Sequence, residues 1–117
     1  MKLRSICLLV AVVQLLPLAA SYARAEGQSG VASVYSTESG SRTASGGRLD
    51  PGAMTAAHRS YPFGSRIRVT NRRNGRSVVV TVNDRGPFVR GRIVDVTPAA
   101  ARALGFSGLV QVTVERE

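Results

Sequence analysis

The sequence predicts a mainly β domain, closed as a small barrel, with one short helix near the C-terminus. Three observations carry that expectation. Short runs rich in Val, Ile and Thr recur through the second half of the 117 residues. Only one segment, Thr97 to Gly105, carries helix start and stop signals. Strands and helices do not alternate as they do in parallel α/β folds. A barrel suits a domain of this size because closure leaves no sheet edge unpaired.

The chain opens on a segment of another kind. Lys2 and Arg4 precede an apolar run from Ile6 to Ala20, broken only by Gln14 and Pro17, and Ala23-Arg24-Ala25 follows. Basic start, apolar middle and small-residue exit read as a secretory signal peptide over residues 1–25, with cleavage expected after Ala25. The run is shorter than the roughly 20 apolar residues of a membrane span. The mature form is therefore expected to have no integral span; an uncleaved anchor or a buried strand is the alternative. Cleavage removes Cys7 and Lys2, the sole cysteine and lysine. No internal disulfide is then possible, and stability rests on packing and hydrogen bonds. One histidine and no cysteine cluster argue against a structural zinc site; no metal and no cofactor are expected. The formal charge is +9, and after cleavage every basic side chain is arginine. Export argues against a nucleic-acid partner and for an anionic surface outside the membrane. Scattered arginines that simply solvate the surface are the plainer reading.

The elements follow in order. Residues 26–30 read as a short polar lead, and Val31 to Tyr35 as a strand. Ser36 to Gly52 is a long loop rich in Ser, Gly and Thr, and long loops in compact domains are often functional. Met54 to His58 has no clear assignment, and Pro62-Phe63-Gly64 marks a turn. Arg66 to Asn71 alternates, with Ile67 and Val69 on one side, and Ser77 to Val82 is strongly β-branched. Asn74-Gly75 between them predicts a hairpin, because both residues tolerate positive φ. Arg92 to Val96 reads as a strand. Thr97 caps a helix with Pro98 in its first turn, and Gly105 ends it. Leu109 to Val114 closes the chain as a last strand.

Few side chains can do acid–base chemistry. Asp84 stands between a buried-looking strand and a turn containing Gly86 and Pro87. A rigid strand followed by a tight loop can hold a reactive carboxylate accurately. Arg85 beside it is placed to orient a substrate. The competing reading has Asp84 merely accepting turn amides. Asp50, before Pro51-Gly52, invites the same two readings. His58 is either a proton carrier or a group that fixes a loop. Asp95 is expected to bond backbone amides.

Thr43-Ala44-Ser45-Gly46, Asp50, Thr55-Ala56-Ala57-His58, Pro62-Phe63-Gly64, Asn83-Asp84-Arg85-Gly86-Pro87-Phe88 and Asp95-Val96-Thr97-Pro98 occur in that order. This set resembles the rare lipoprotein A (RlpA-like) family of the bacterial envelope, over nearly all of residues 30–116. The resemblance implies a six-stranded double-psi β-barrel over residues 31–117. It implies an endolytic peptidoglycan lytic transglycosylase of the periplasm or cell envelope. Such an enzyme cuts between N-acetylmuramic acid and N-acetylglucosamine, prefers peptide-free glycan strands and leaves 1,6-anhydro ends. An ordinary glycosidase needs two carboxylates; here the sugar's own C6 hydroxyl attacks, so one acid/base suffices. The family's site positions fall on Asp84, Asp50 and His58, with Arg85 as a substrate contact. The glutamate of the family's loop falls at position 47, where this chain has Gly47. Either Asp84 carries the proton, with Glu38 of the same loop as a further candidate, or the barrel binds peptidoglycan without cleaving it.

Overall fold

The computed structural model describes residues 27–35 and 42–117; the expected signal segment and Glu38 lie outside the described residues. In chain order the elements are β1 (Gln28–Val34), β2 (Thr55–Ala57), β3 (Arg66–Asn71), β4 (Ser77–Asp84), β5 (Arg92–Val96), helix α1 (Pro98–Leu104) and β6 (Val110–Arg116). The six strands form a closed barrel in the order β1-β5-β2-β4-β3-β6. β1–β5 and β2–β4 pair in parallel, and the other four contacts are antiparallel.

Alternation decides what fills the barrel. β3 buries Ile67 and Val69 and exposes Arg66 and Arg68. Val80 and Val82 of β4, Val94 and Val96 of β5 and Val112 and Val114 of β6 join them in one core. A small barrel has room inside only for its own side chains, and β-branched residues pack well on a pleated, twisted sheet. Each buried valine contributes about 1.5–3 kcal/mol over an exposed one. Ala100, Ala101 and Leu104 of α1 complete the core from outside the sheet.

The helix forms where its caps place it. The Thr97 hydroxyl accepts the Ala100 N–H at 3.3 Å. Gly105, at φ 80°, donates its N–H to the carbonyls of Ala101 and Arg102. The β3–β4 hairpin forms with Arg72 to Gly75 as its loop, closed by the Asn71 N–H to the Arg76 carbonyl at 2.8 Å. Asn71 is buried, and its Nδ2 donates to the Leu104 carbonyl at 2.9 Å, tying hairpin to helix.

Several boundaries depart from the sequence reading, and β4 runs past the expected end at Val82 to include Asp84. Residues 28–30 are not a free lead: Gln28, Ser29 and Gly30 pair with Val114, Thr113 and Val112. They are polar or glycine, so no alternation announces them, but β6 needs a partner there for the barrel to close. A Cβ on Gly30 would lie 2.7 Å from Ile93 Cγ2, so the glycine permits the approach. Thr55–Ala57, unassigned from sequence, is β2, held between β4 and β5. β6 runs on to Arg116 because β3 pairs with it as far as Ile67.

Candidate active site

The site is built on the end of β4. Val82 pairs with Ala56 and Asp84 with Ala57, so Asn83 is an extra residue in β4. Such a bulge bends the strand and re-aims the side chain that follows. The Asp84 carboxylate is gripped from two sides. Oδ1 accepts the Ala44 N–H at 2.7 Å and the Arg85 N–H at 2.9 Å. Oδ2 accepts the Tyr35 hydroxyl at 3.1 Å. Burial, reinforced by the neighbouring Asp84 charge, holds the Tyr35 phenol well above its ordinary pKa, so it stays a donor. Asp95 adds to that effect. Its own carboxylate accepts the Ser33 hydroxyl rather than the backbone amides expected from sequence.

The loop bearing Ala44 crosses the end of β4. Its Ser45 N–H reaches the Asn83 carbonyl at 3.3 Å, and Thr43 N–H reaches the Gly47 carbonyl at 2.9 Å. Gly47 is exposed in this loop, and a Cβ there would meet only Thr43 Oγ1, at 3.8 Å.

His58 follows β2, and its N–H donates to the Asp84 carbonyl at 3.1 Å. The imidazole is buried, 2% exposed. Its Nδ1 accepts the N–H groups of Ser60 and Tyr61, both at 3.1 Å. That requires the Nε2–H tautomer, which donates to Gln28 Oε1 at 2.9 Å. The ring also stacks on Tyr61 at 3.9 Å. Burial first, then the Arg59 and Arg85 charges, push its pKa below the usual histidine value. His58 is thus a neutral ring with both nitrogens engaged inside the protein.

Arg85 Nη1 donates to the His58 and Tyr61 carbonyls at 3.1 and 2.8 Å, and its guanidinium lies 4.0 Å from the centre of the Phe63 ring. Among the described residues its Nε and Nη2 have no hydrogen-bond acceptor. Phe63 is 43% exposed and Phe88 77%, on either side of Asp84–Arg85 in the chain. Gly86 between them sits at φ 115°, a conformation only glycine adopts readily.

Asp84, Arg85 and His58 are therefore brought together, through β2–β4 pairing and backbone hydrogen bonds. Asp50 is exposed, and its carboxylate caps its own turn by accepting the Gly52 N–H at 2.9 Å. Among the described residues no hydrogen bond joins it to the other three. Sequence reasoning missed Tyr35 and Gln28. Nothing local marks either, because Tyr35 stands 49 positions from Asp84 and Gln28 stands 30 from His58.

Fold and site together define a double-psi β-barrel carrying a firmly held carboxylate at one strand end. A family model described as lytic transglycolase matches residues 27–115, and the chain belongs to that family. It is 58% identical over 91 residues to the probable endolytic peptidoglycan transglycosylase RlpA of Nostoc sp., covering 74% of this chain and 24% of that protein. It is 51% identical over 92 residues to the endolytic peptidoglycan transglycosylase RlpA of Neisseria meningitidis serogroup A, covering 76% of this chain and 38% of that protein. The chain thus spans well under half the length of these curated relatives. In fold it is similar to the Streptomyces papain inhibitor, with a TM-score of 0.63, 22% identity, and 79% of this chain and 94% of that one covered.

Proposed function

We propose that this barrel is an endolytic peptidoglycan lytic transglycosylase of the cell envelope. Its bond is the one between N-acetylmuramic acid and N-acetylglucosamine in peptide-free strands, and its product carries a 1,6-anhydro end. Asp84 is the acid/base, His58 and Asp50 shape the loops around it, and Arg85 contacts the sugar. The observation that carries this reading is the Asp84 carboxylate, fixed between Tyr35 and the Ala44 amide in a segment bounded by two exposed phenylalanines. Aromatic faces of that kind suit the apolar faces of pyranose rings.

The chemistry needs one carboxyl group. Protonated Asp84 gives its proton to the bridging oxygen as the bond from C1 to that oxygen breaks. The carboxylate then takes the C6 hydroxyl proton of muramic acid as that oxygen bonds to C1. One bond breaks, one forms, Asp84 ends as it began, and no water is consumed. A positioned acid/base of this sort is worth about 10²–10⁴ in rate. His58, neutral and fully bonded, serves as a positioning residue.

Gly47 supports a second reading: a barrel that binds glycan and does not cut it. One experiment separates the two. Purified protein is incubated with peptide-free glycan strands, and 1,6-anhydro ends are sought by mass spectrometry. The enzyme reading expects product from the wild type and a loss of at least about 100-fold in Asp84→Asn, which keeps the amide-accepting oxygen. Product undiminished in that variant removes Asp84 from its role. Glycan binding without product, with turnover gained in Gly47→Glu, establishes the second reading; a Cβ at Gly47 meets only Thr43 Oγ1, at an ordinary contact distance of 3.8 Å.

A further inference from the structure

The other end of β4, roughly 23 Å along the strand from Asp84, carries a second candidate site. There the hairpin loop and the start of β6 enclose an open cleft of about 460 Å³ lined by Arg72, Arg73, Val110 and Gln111. A shallower extension brings in Val31 and Leu109, the latter 51% exposed. The cleft is preformed: the Arg72 N–H donates to the Gln111 carbonyl at 3.0 Å. Asn71 and Asn74 anchor the loop to the Leu104 carbonyl.

Among the described residues no acidic side chain pairs with the arginines of this cleft. Among the described residues the one ion pair is Arg68–Glu117. The carboxylates of Asp50, Asp84 and Asp95 are engaged by Gly52, by Tyr35 and Ala44, and by Ser33. Glu115 stands opposite Arg68 in the β3–β6 register. Neither Arg72 nor Arg73 thus has an acidic partner among the described residues.

Arg72 and Arg73, consecutive in the loop, each carry a forked donor suited to carboxylates. The valine and leucine floor accepts methyl and methylene groups. We infer that this cleft binds a short peptide with free carboxylates and small apolar side chains. The inference rests on the peptidoglycan reading above, because the stem peptides of that polymer have this chemistry. The protein would be retained on peptide-bearing wall by one end of β4 while Asp84, at the other, works on bare glycan.

The test is an NMR titration of the ¹⁵N-labelled protein with the tetrapeptide L-Ala-γ-D-Glu-L-Lys-D-Ala, its fully amidated counterpart, inorganic phosphate and phosphatidylglycerol vesicles. The tetrapeptide is expected to give saturable shifts at Arg72, Arg73 and Gln111. Amidation, or the double substitution Arg72→Gln and Arg73→Gln, should weaken binding at least tenfold, with cleavage of peptide-free glycan unchanged. Equal binding of the amidated peptide, of phosphate or by the double variant overturns the proposal. So do shifts there with vesicles and none with peptide, which assign the face to a membrane. Peptide binding without glycan cleavage keeps this site and removes the enzyme reading; cleavage without peptide binding does the reverse.

Discussion

His58 shows how local accounting turns into a measurable property. Two backbone N–H groups point at Nδ1, and a second ring proton would have to displace them. Burial first, then the Arg59 and Arg85 charges, hold its folded pKa below the unfolded value. The unfolded chain then binds more protons in that window, so stability rises with pH there. The fold should be fully stabilised by this group above about pH 6.5 and weaken progressively on acidification below it, by about 1.4 kcal/mol for each unit separating the two values. Urea denaturation at pH 7.5, 6.5 and 5.5 checks this, and His58→Gln should flatten that part of the profile. At this scale the sequence exposed the types of reactive side chain and concealed their company. Asp84, Arg85 and His58 could be picked out because a motif held them. Tyr35 and Gln28 could not, since their roles exist only after distant strands meet.

Elements were legible where alternation and caps were strong and obscure where pairing alone made them. β3, β4, β5 and α1 follow from valine spacing, an Asn-Gly turn and a Thr-Pro start. β2 has three residues, Thr-Ala-Ala, and its identity as a strand comes from its two neighbours. The same lesson applies to the hairpin and α1, joined by two asparagine side chains of which Asn71 is the buried one. Asn71 donates to the Leu104 carbonyl and accepts the Arg73 N–H at 2.8 Å. Asn71→Ala removes both bonds in a buried setting and should cost about 1–3 kcal/mol. The midpoint in urea should fall with its slope unchanged, because the surface exposed on unfolding stays the same. Asn74 also reaches Leu104, at 3.0 Å, so the helix end should stay docked in the native state.

At the scale of the whole molecule, every strand is bonded on both sides, so no strand can leave without breaking the ring. Native-state hydrogen exchange should find strand amides in all six strands opening with one common free energy, the global one, while amides of the hairpin loop open more readily. Staggered opening of β1 or β6 would contradict that picture. The barrel class was readable from composition and rhythm; its circular order was not, because two parallel pairings join segments far apart in the chain. Asp84 itself has a consequence that reaches beyond this chain. The carboxylate proposed to move a proton also clasps the loop through Ala44 and the end of β1 through Tyr35. Chemistry and cohesion share one residue and cannot drift apart independently. A descendant that gives up turnover still has reason to keep this aspartate, so its persistence in a related barrel testifies to architecture before it testifies to catalysis.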